Sequence, residues 1–248
     1  MQRYFIELAY NGSRYNGWQI QPNAPSVQET LERALSLLLK EEIRVTGAGR
    51  TDTGVHASFF VAHFDALSPV ADEAALCLKL NRFLDDSIAI RSIYPVKADA
   101  HARFSALSRT YKYYLDKTKN PFTREFAYRS YPLPDIRLMN EACAILTRHE
   151  DFTSFAKLHT DVKTNICHLM EARWEDTGSQ LVFTIKADRF LRNMVRAIVG
   201  TLLEVGRGRL SLENFQKVIE SKNRCNAGVS VPGKALFLCG IEYPDCRI

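Results

Sequence analysis

Gly47-Ala48-Gly49-Arg50-Thr51-Asp52-Thr53-Gly54-Val55-His56-Ala57 interrupts two apolar, strand-like runs at 43 to 47 and 58 to 64. Glycines at 47, 49 and 54 open backbone conformations that other residues avoid, so the stretch reads as a tight hairpin turn that presents Asp52 rather than burying it. Arg50 stands two residues earlier. A cation that near favours the ionised form of a carboxylate whose ordinary pKa is already roughly 3.9. A charged Asp makes a poor general acid and a weakly driven base, which leaves nucleophile, or stabiliser of a developing cation, as its best-matched roles. A capped Asp in an ordinary polar hairpin spells in much the same way, because most loop carboxylates do no chemistry.

Working outward, residues 3 to 10 are rich in aromatic and β-branched types and predict a strand that stops at Asn11-Gly12. Trp18, in the loop that follows, reads as a lid over the core. Ser26-Val27-Gln28-Glu29 is a capping box, and Val27, Leu31, Ala34, Leu35, Leu38 and Leu39 form one apolar stripe along the helix it opens. A helix over 71 to 83 and a strand over 88 to 96 complete a β-α-β-β-α-β order centred on the Asp52 hairpin. The order recurs as a pattern without residue identity. It runs through a strand at 108 to 116, a helix from Pro134-Asp135 to 147, and strands at 165 to 175 and 180 to 187 joined by Asp176-Thr177-Gly178. Helices at 190 to 205 and 211 to 222 and a strand from Leu236 to Tyr243 finish it. The fold class expected is α+β, two ferredoxin-like (βαββαβ) halves with antiparallel sheets and an active-site cleft between them. The lobes are placed at 1 to 104, carrying the Asp loop, and 105 to 248, carrying the tyrosine strand and an arginine helix.

Composition narrows the class. The chain of 248 residues carries a formal charge of +5, which permits a polyanionic partner without requiring one. Distribution says more: Lys157, His159 and Lys163 crowd one loop, Lys222 and Arg224 another, Arg207 and Arg209 a third, and Lys117, Lys119 and Arg124 flank a Pro-containing turn. Together they fit an electrostatic surface for RNA. Arg189, Arg192 and Arg196 fall three and four apart, on a second face of the 190 to 205 helix. Six cysteines form no Cys-x-x-Cys pair and have no finger-spaced His, so zinc and disulfide frameworks are not indicated and reduced thiols are expected. Gly47-Ala48-Gly49 lacks the spacing of a dinucleotide fingerprint, there is no Walker lysine, and His56 and His63 are poorly placed to share a metal with Asp52. No cofactor or metal is expected. The opening residues lack a leader pattern and no apolar run reaches membrane length, which places the chain in the cytoplasm.

Gly49-Arg50-Thr51-Asp52-Thr53-Gly54-Val55-His56-Ala57 closely resembles the catalytic motif of the tRNA pseudouridine synthase A family, in which the Asp is essential. Further segments resembling the family occur in order: Ala102-Arg103-Phe104-Ser105-Ala106, Arg109-Thr110-Tyr111-Lys112-Tyr113, Phe190-Leu191-Arg192-Asn193-Met194-Val195-Arg196, Ile198-Val199-Gly200 and Tyr243-Pro244. The family often has Ala where Thr53 stands, and His where Arg192 and Asn193 stand. The resemblance implies conversion of uridine to pseudouridine in the anticodon stem-loop of tRNA, at positions 38, 39 and 40 in tRNA numbering, by a homodimer without cofactor. It assigns Asp52 to catalysis, Arg196 to the basic residue that pairs with it, and Tyr111 to stacking on the target base. Arg50 is the candidate for holding the flipped nucleotide. Arg192, Lys157 and Lys163 are candidate tRNA contacts. A non-catalytic RNA-binding module is the alternative, but it normally shows aromatic-rich RNP-type strands, which the short strands here do not spell, and it gives no reason for the Asp turn. A synthase acting on a different RNA would share the motif.

Overall fold

The computed structural model describes residues 1–157 and 164–248. The chain divides into two compact units, Met1–Ser108 with Leu238–Ile248, and Arg109–Phe237.

In the first unit, strand β1 (Gln2–Tyr10) buries Tyr4, Phe5, Ile6, Leu8 and Tyr10. It runs antiparallel to β3 (His56–Ala66) on one side and to β4 (Ile88–Val96) on the other. The short β2 (Val45–Gly47) lies antiparallel along β3, with Val45 opposite Phe64. Helix α1 (Val27–Leu39) starts where the capping box places it, the Ser26 hydroxyl accepting the Glu29 N–H at 3.2 Å. Its inner face carries Val27, Leu31, Ala34 and Leu35, and also the buried Glu32. Glu32 accepts the Val45 N–H at 3.0 Å, while the Gln28 side chain donates to the Val45 carbonyl at 3.0 Å. Those bonds tie α1 to the strand that leads into the Asp52 turn. Helix α2 (Glu73–Phe83), capped by Asp72, packs on β4.

In the second unit, β5 (Ser108–Asp116) pairs antiparallel with β8 (Gln180–Ala187), and β8 with β7 (Leu169–Asp176). The two-residue β6 (Tyr128–Arg129) adds a parallel pairing to β5. Helix α3 (Ile136–Leu146) packs on β7, α4 (Met194–Gly206) and α5 (Leu212–Glu220). The Asn140 side chain locks α3 to β7 by bonding both the N–H and the carbonyl of Trp174, at 2.8 and 3.0 Å. The last strand, β9 (Leu236–Glu242), passes from this unit back to the first.

Several boundaries differ from the sequence reading: the first unit runs to Ser108 rather than 104, and β7 starts at Leu169 rather than 165. Leu238–Ile248 belong with the first unit, because Leu107 N–H and Ser108 Oγ both bond Glu242, Lys97 N–H bonds the Cys246 carbonyl, and Tyr243 packs edge-on against Phe5. Helix α4 begins at Met194 rather than 190, since Asn193 takes a left-handed conformation (φ 64°) with its side chain on Ser230 Oγ at 2.6 Å. Arg189 and Arg192 therefore precede the helix, and the predicted arginine face reduces to Arg196.

His63 sits on β3, 6 % exposed, with Nδ1 accepting the Ala102 N–H at 3.1 Å. Burial, then the nearby Arg3 and His101 charges, push its pKa down from 6.5 to about 4. Unfolded chains bind this proton first, so the stability contributed by neutral His63 is complete above about pH 6.5 and is lost as pH falls towards 4. Denaturant midpoints at pH 7 and pH 4.5 should therefore differ clearly in the wild type and much less in His63→Gln; equal differences would remove His63 as the cause.

Candidate active site

Asp52 sits half-buried in the turn between β2 and β3. Its carbonyl accepts the Val55 N–H at 3.1 Å, closing a four-residue turn in which Gly54 takes φ 73°. The three glycines do not all serve chain reversal, as the sequence reading held. A Cβ at Gly47 would lie 2.5 Å from the Trp18 indole, so that position is a close approach, whereas one at Gly49 would meet open space.

The turn is fastened by a segment distant in sequence. Tyr10 hydroxyl and Thr51 Oγ1 are 2.9 Å apart, the Trp18 N–H donates to the Thr51 carbonyl at 3.4 Å, and Gly54 N–H reaches the Tyr15 carbonyl at 3.4 Å. Gly17, at φ 93°, lies so near that a Cβ would come within 2.2 Å of the Thr51 carbonyl oxygen. Trp18 is the core lid expected of it, 3 % exposed and stacked on Phe60 with ring centroids 4.2 Å apart. His56, fully enclosed, accepts the Gly12 N–H on Nδ1 at 3.0 Å. An accepting Nδ1 requires the neutral ring with its proton on Nε2, which suits a brace better than a ligand. The main chain on both sides of Asp52 is thus held by hydrogen bonds before any substrate arrives. These braces, Tyr10, Gly17, Trp18 and His56, were not identified as site residues from the sequence, where only the aromatic and glycine content of 10 to 18 hinted at them.

Arg50 is exposed on the same turn. The other candidates belong to the second unit. Tyr111 lies on β5, half-buried, with its ring edge-on to Phe190 at 5.2 Å. Its neighbour Tyr113 is the enclosed one of the pair, its hydroxyl bonding the Pro232 carbonyl at 3.2 Å, and burial drives that hydroxyl's pKa upward. Arg196 is held on α4 by a bond from Nε to the Val231 carbonyl at 2.7 Å, answered by Val231 N–H to the Arg196 carbonyl at 3.2 Å. Lys157 N–H bonds the Arg192 carbonyl at 3.0 Å, which brings these two exposed cations onto adjoining loops. Lys163, like His159, lies outside the described residues. Several cations of the other clusters are engaged: Lys222 with Asp151 at 2.9 Å, Arg207 with Glu204 at 2.7 Å, and Arg224 with Ser230 and the Gly228 carbonyl. Among the described residues, no His, Cys, Asp and Glu side chains are grouped to hold a metal, and no helix is long and apolar enough to cross a membrane.

The first unit thus presents one braced, half-buried carboxylate from a Gly-rich turn. A family described as tRNA pseudouridine synthase matches residues 8–105 and 142–244, and the chain belongs to that family. The matched segments include the Asp52 turn and Arg196 and leave out Tyr111. Relatives bearing the name tRNA pseudouridine synthase A include one from Parabacteroides distasonis, 57 % identical over 99 % of this chain and 97 % of its own. Another, from Bacteroides thetaiotaomicron, is 59 % identical over 99 % of this chain and 92 % of its own. The likeness persists at 35 % with a protein of Exiguobacterium sibiricum, over 100 % of this chain and 99 % of the relative.

Proposed function

We propose that this protein isomerises uridine to pseudouridine in tRNA, with Asp52 acting at the sugar. The observation that carries the reading is the Asp52 turn itself: a half-buried carboxylate whose flanking peptides are fixed by the Tyr10–Trp18 segment, within a chain of the synthase family. The reaction breaks the bond between N1 of uracil and C1′ and forms one between C5 and C1′. N1 gains a proton and C5 loses one, so the balance needs neither oxidant nor cofactor. A carboxylate beside C1′ stabilises or captures the electron-poor sugar carbon while the base is detached, as carboxylates do in glycoside hydrolysis. The target base must leave its stack first, and exposed Arg50, two residues before Asp52 on the same turn, is our candidate for holding the flipped nucleotide. We read the target as the anticodon stem-loop, both halves as ferredoxin-like and the active species as a homodimer. The strand orders β4-β1-β3 with β2 on β3, and β7-β8-β5, support the second of these. Incubation with tRNA transcripts and chemical mapping of pseudouridine tests the activity; product outside the anticodon arm would move the target while keeping the reaction.

Arg196 keeps the role of orienting the carboxylate, and Tyr111 that of stacking on the uracil. Tyr111→Phe should keep most of the turnover, since the ring remains. Tyr111→Ala should lose about 10-fold or more, the equivalent of roughly 1–3 kcal/mol of base–aromatic stacking. A fully active Tyr111→Ala protein would return Tyr111 to the sheet.

Arg192, Lys157 and Lys163 are proposed to meet phosphates. Affinity for tRNA should fall steeply with salt, and Lys157→Ala should lower the slope of log affinity against log salt by about one. An unchanged slope in the variant would take Lys157 off the RNA surface.

A further inference from the structure

Ala102-Arg103-Phe104-Ser105-Ala106 stands out in the sequence, yet the chemistry proposed above makes no use of it. The structure shows a short loop that is heavily braced from below and aromatic on top. His101 Nδ1 accepts the N–H groups of both Arg103 and Phe104, at 3.1 and 3.2 Å. The His101 N–H donates to Ser105 Oγ at 2.9 Å, and Ser105 N–H returns to the His101 carbonyl at 2.9 Å. Ala102, completely enclosed, donates its N–H to His63 Nδ1 and accepts the Tyr243 hydroxyl on its carbonyl. Arg3 holds the Ala100 carbonyl at 3.1 Å.

On this base Phe104 is 77 % exposed. The His101 ring supports it at 4.4 Å between centroids, and His63 backs His101 at 4.6 Å. Exposed Arg103 places its guanidinium 5.7 Å from the Phe104 ring centroid. An exposed aromatic on a loose loop is unremarkable, since it loses on ordering what it gains on contact. Here main-chain bonds have already ordered the loop, so a partner that covers the ring gains stacking with little further entropy loss.

Resting on the reading of tRNA as substrate, we infer that residues 101 to 105 form an aromatic and cationic platform for one unstacked nucleotide of that tRNA, its base on Phe104 and its phosphate at Arg103. Base faces stack on aromatic rings with little regard to sequence, and a guanidinium held over the same ring, 5.7 Å from its centroid, sets a cation within reach of the phosphate of a base stacked there. The exposed Arg103 cation beside Phe104 and the net charge of +5 favour a polyanion over a second copy of this chain.

The test measures tRNA affinity, single-turnover rate at saturating tRNA, and mass by light scattering for the wild type, Phe104→Ala, Phe104→Trp and Arg103→Gln. Circular dichroism serves as the fold control. Phe104→Ala should weaken tRNA binding about 10-fold while the saturated rate stays near that of the wild type, and Phe104→Trp should restore affinity. Arg103→Gln should lower the salt slope by about one. Wild-type affinity in Phe104→Ala would overturn the platform. So would a loss explained by a change of mass, which would make the face a contact between copies. The function itself has a separate readout: a wild-type protein that binds tRNA but forms no pseudouridine defeats the proposed activity and leaves the platform standing.

Discussion

Asp52→Asn should reduce pseudouridine formation by at least about 1,000-fold under single-turnover conditions, on the order of 4 kcal/mol of transition-state stabilisation. The substitution preserves shape and hydrogen-bonding capacity while removing the charge and the nucleophilic oxygen. The turn should survive it, because many of the bonds that hold it run through the main chain and the Thr51 hydroxyl: Asp52 carbonyl to Val55 N–H, Thr51 carbonyl to Trp18 N–H, and Thr51 Oγ1 to Tyr10. Affinity for tRNA, resting on phosphates and stacked bases, should change little. The measurement pairs pseudouridine yield with tRNA affinity on one preparation. Near-normal activity in a folded Asp52→Asn protein would reduce the turn to an ordinary hairpin and make a non-catalytic RNA-binding module the better account.

Gly17→Ala should cost about 2–4 kcal/mol of stability and lower turnover by about 100-fold, although residue 17 bears no functional group. Its φ of 93° already disfavours any side chain, and a Cβ would come within 2.2 Å of the Thr51 carbonyl oxygen, one residue before Asp52. Relief of that clash requires the Thr51–Asp52 peptide to shift, and a displacement near 1 Å at a reacting group is enough to cost about 100-fold. Gly49→Ala supplies the contrast. That position has open space where a Cβ would go and no left-handed φ, so both stability and turnover should stay close to wild type. Thermal unfolding and single-turnover rates on the two variants decide the matter, and a Gly17→Ala protein indistinguishable from Gly49→Ala would show that the 11 to 18 segment does not brace the turn.

Local chemistry was enough for the sequence to determine the catalytic candidate and most of the framework. Ser26, Asp72 and Asp135 cap the helices that follow them because a cap bonds main chain only two or three residues away. Alternating residue types located β5 and the Asp176-Thr177-Gly178 turn located β8, and Asp52 stood out from the company of Gly54, Arg50 and His56 within a few residues. What holds that Asp in place depends on partners far along the chain. The bond from Gly12 to His56 spans 44 residues and the one from Tyr10 to Thr51 spans 41, distances over which composition carries no register. For the same reason the role of Gly47 as a seat for Trp18, the start of α4 at Met194 beside Ser230, and the return of Leu238–Ile248 to the first unit emerged only from tertiary packing. The cation clusters separate along the same line: the sequence counts Lys222, Arg207 and Arg224 as available charge, whereas the folded chain sets them against Asp151, Glu204 and Ser230. Identity and spacing determined which groups this protein has for its chemistry. Close approach between residues distant in sequence decided which of them are held still and which are engaged in holding the fold.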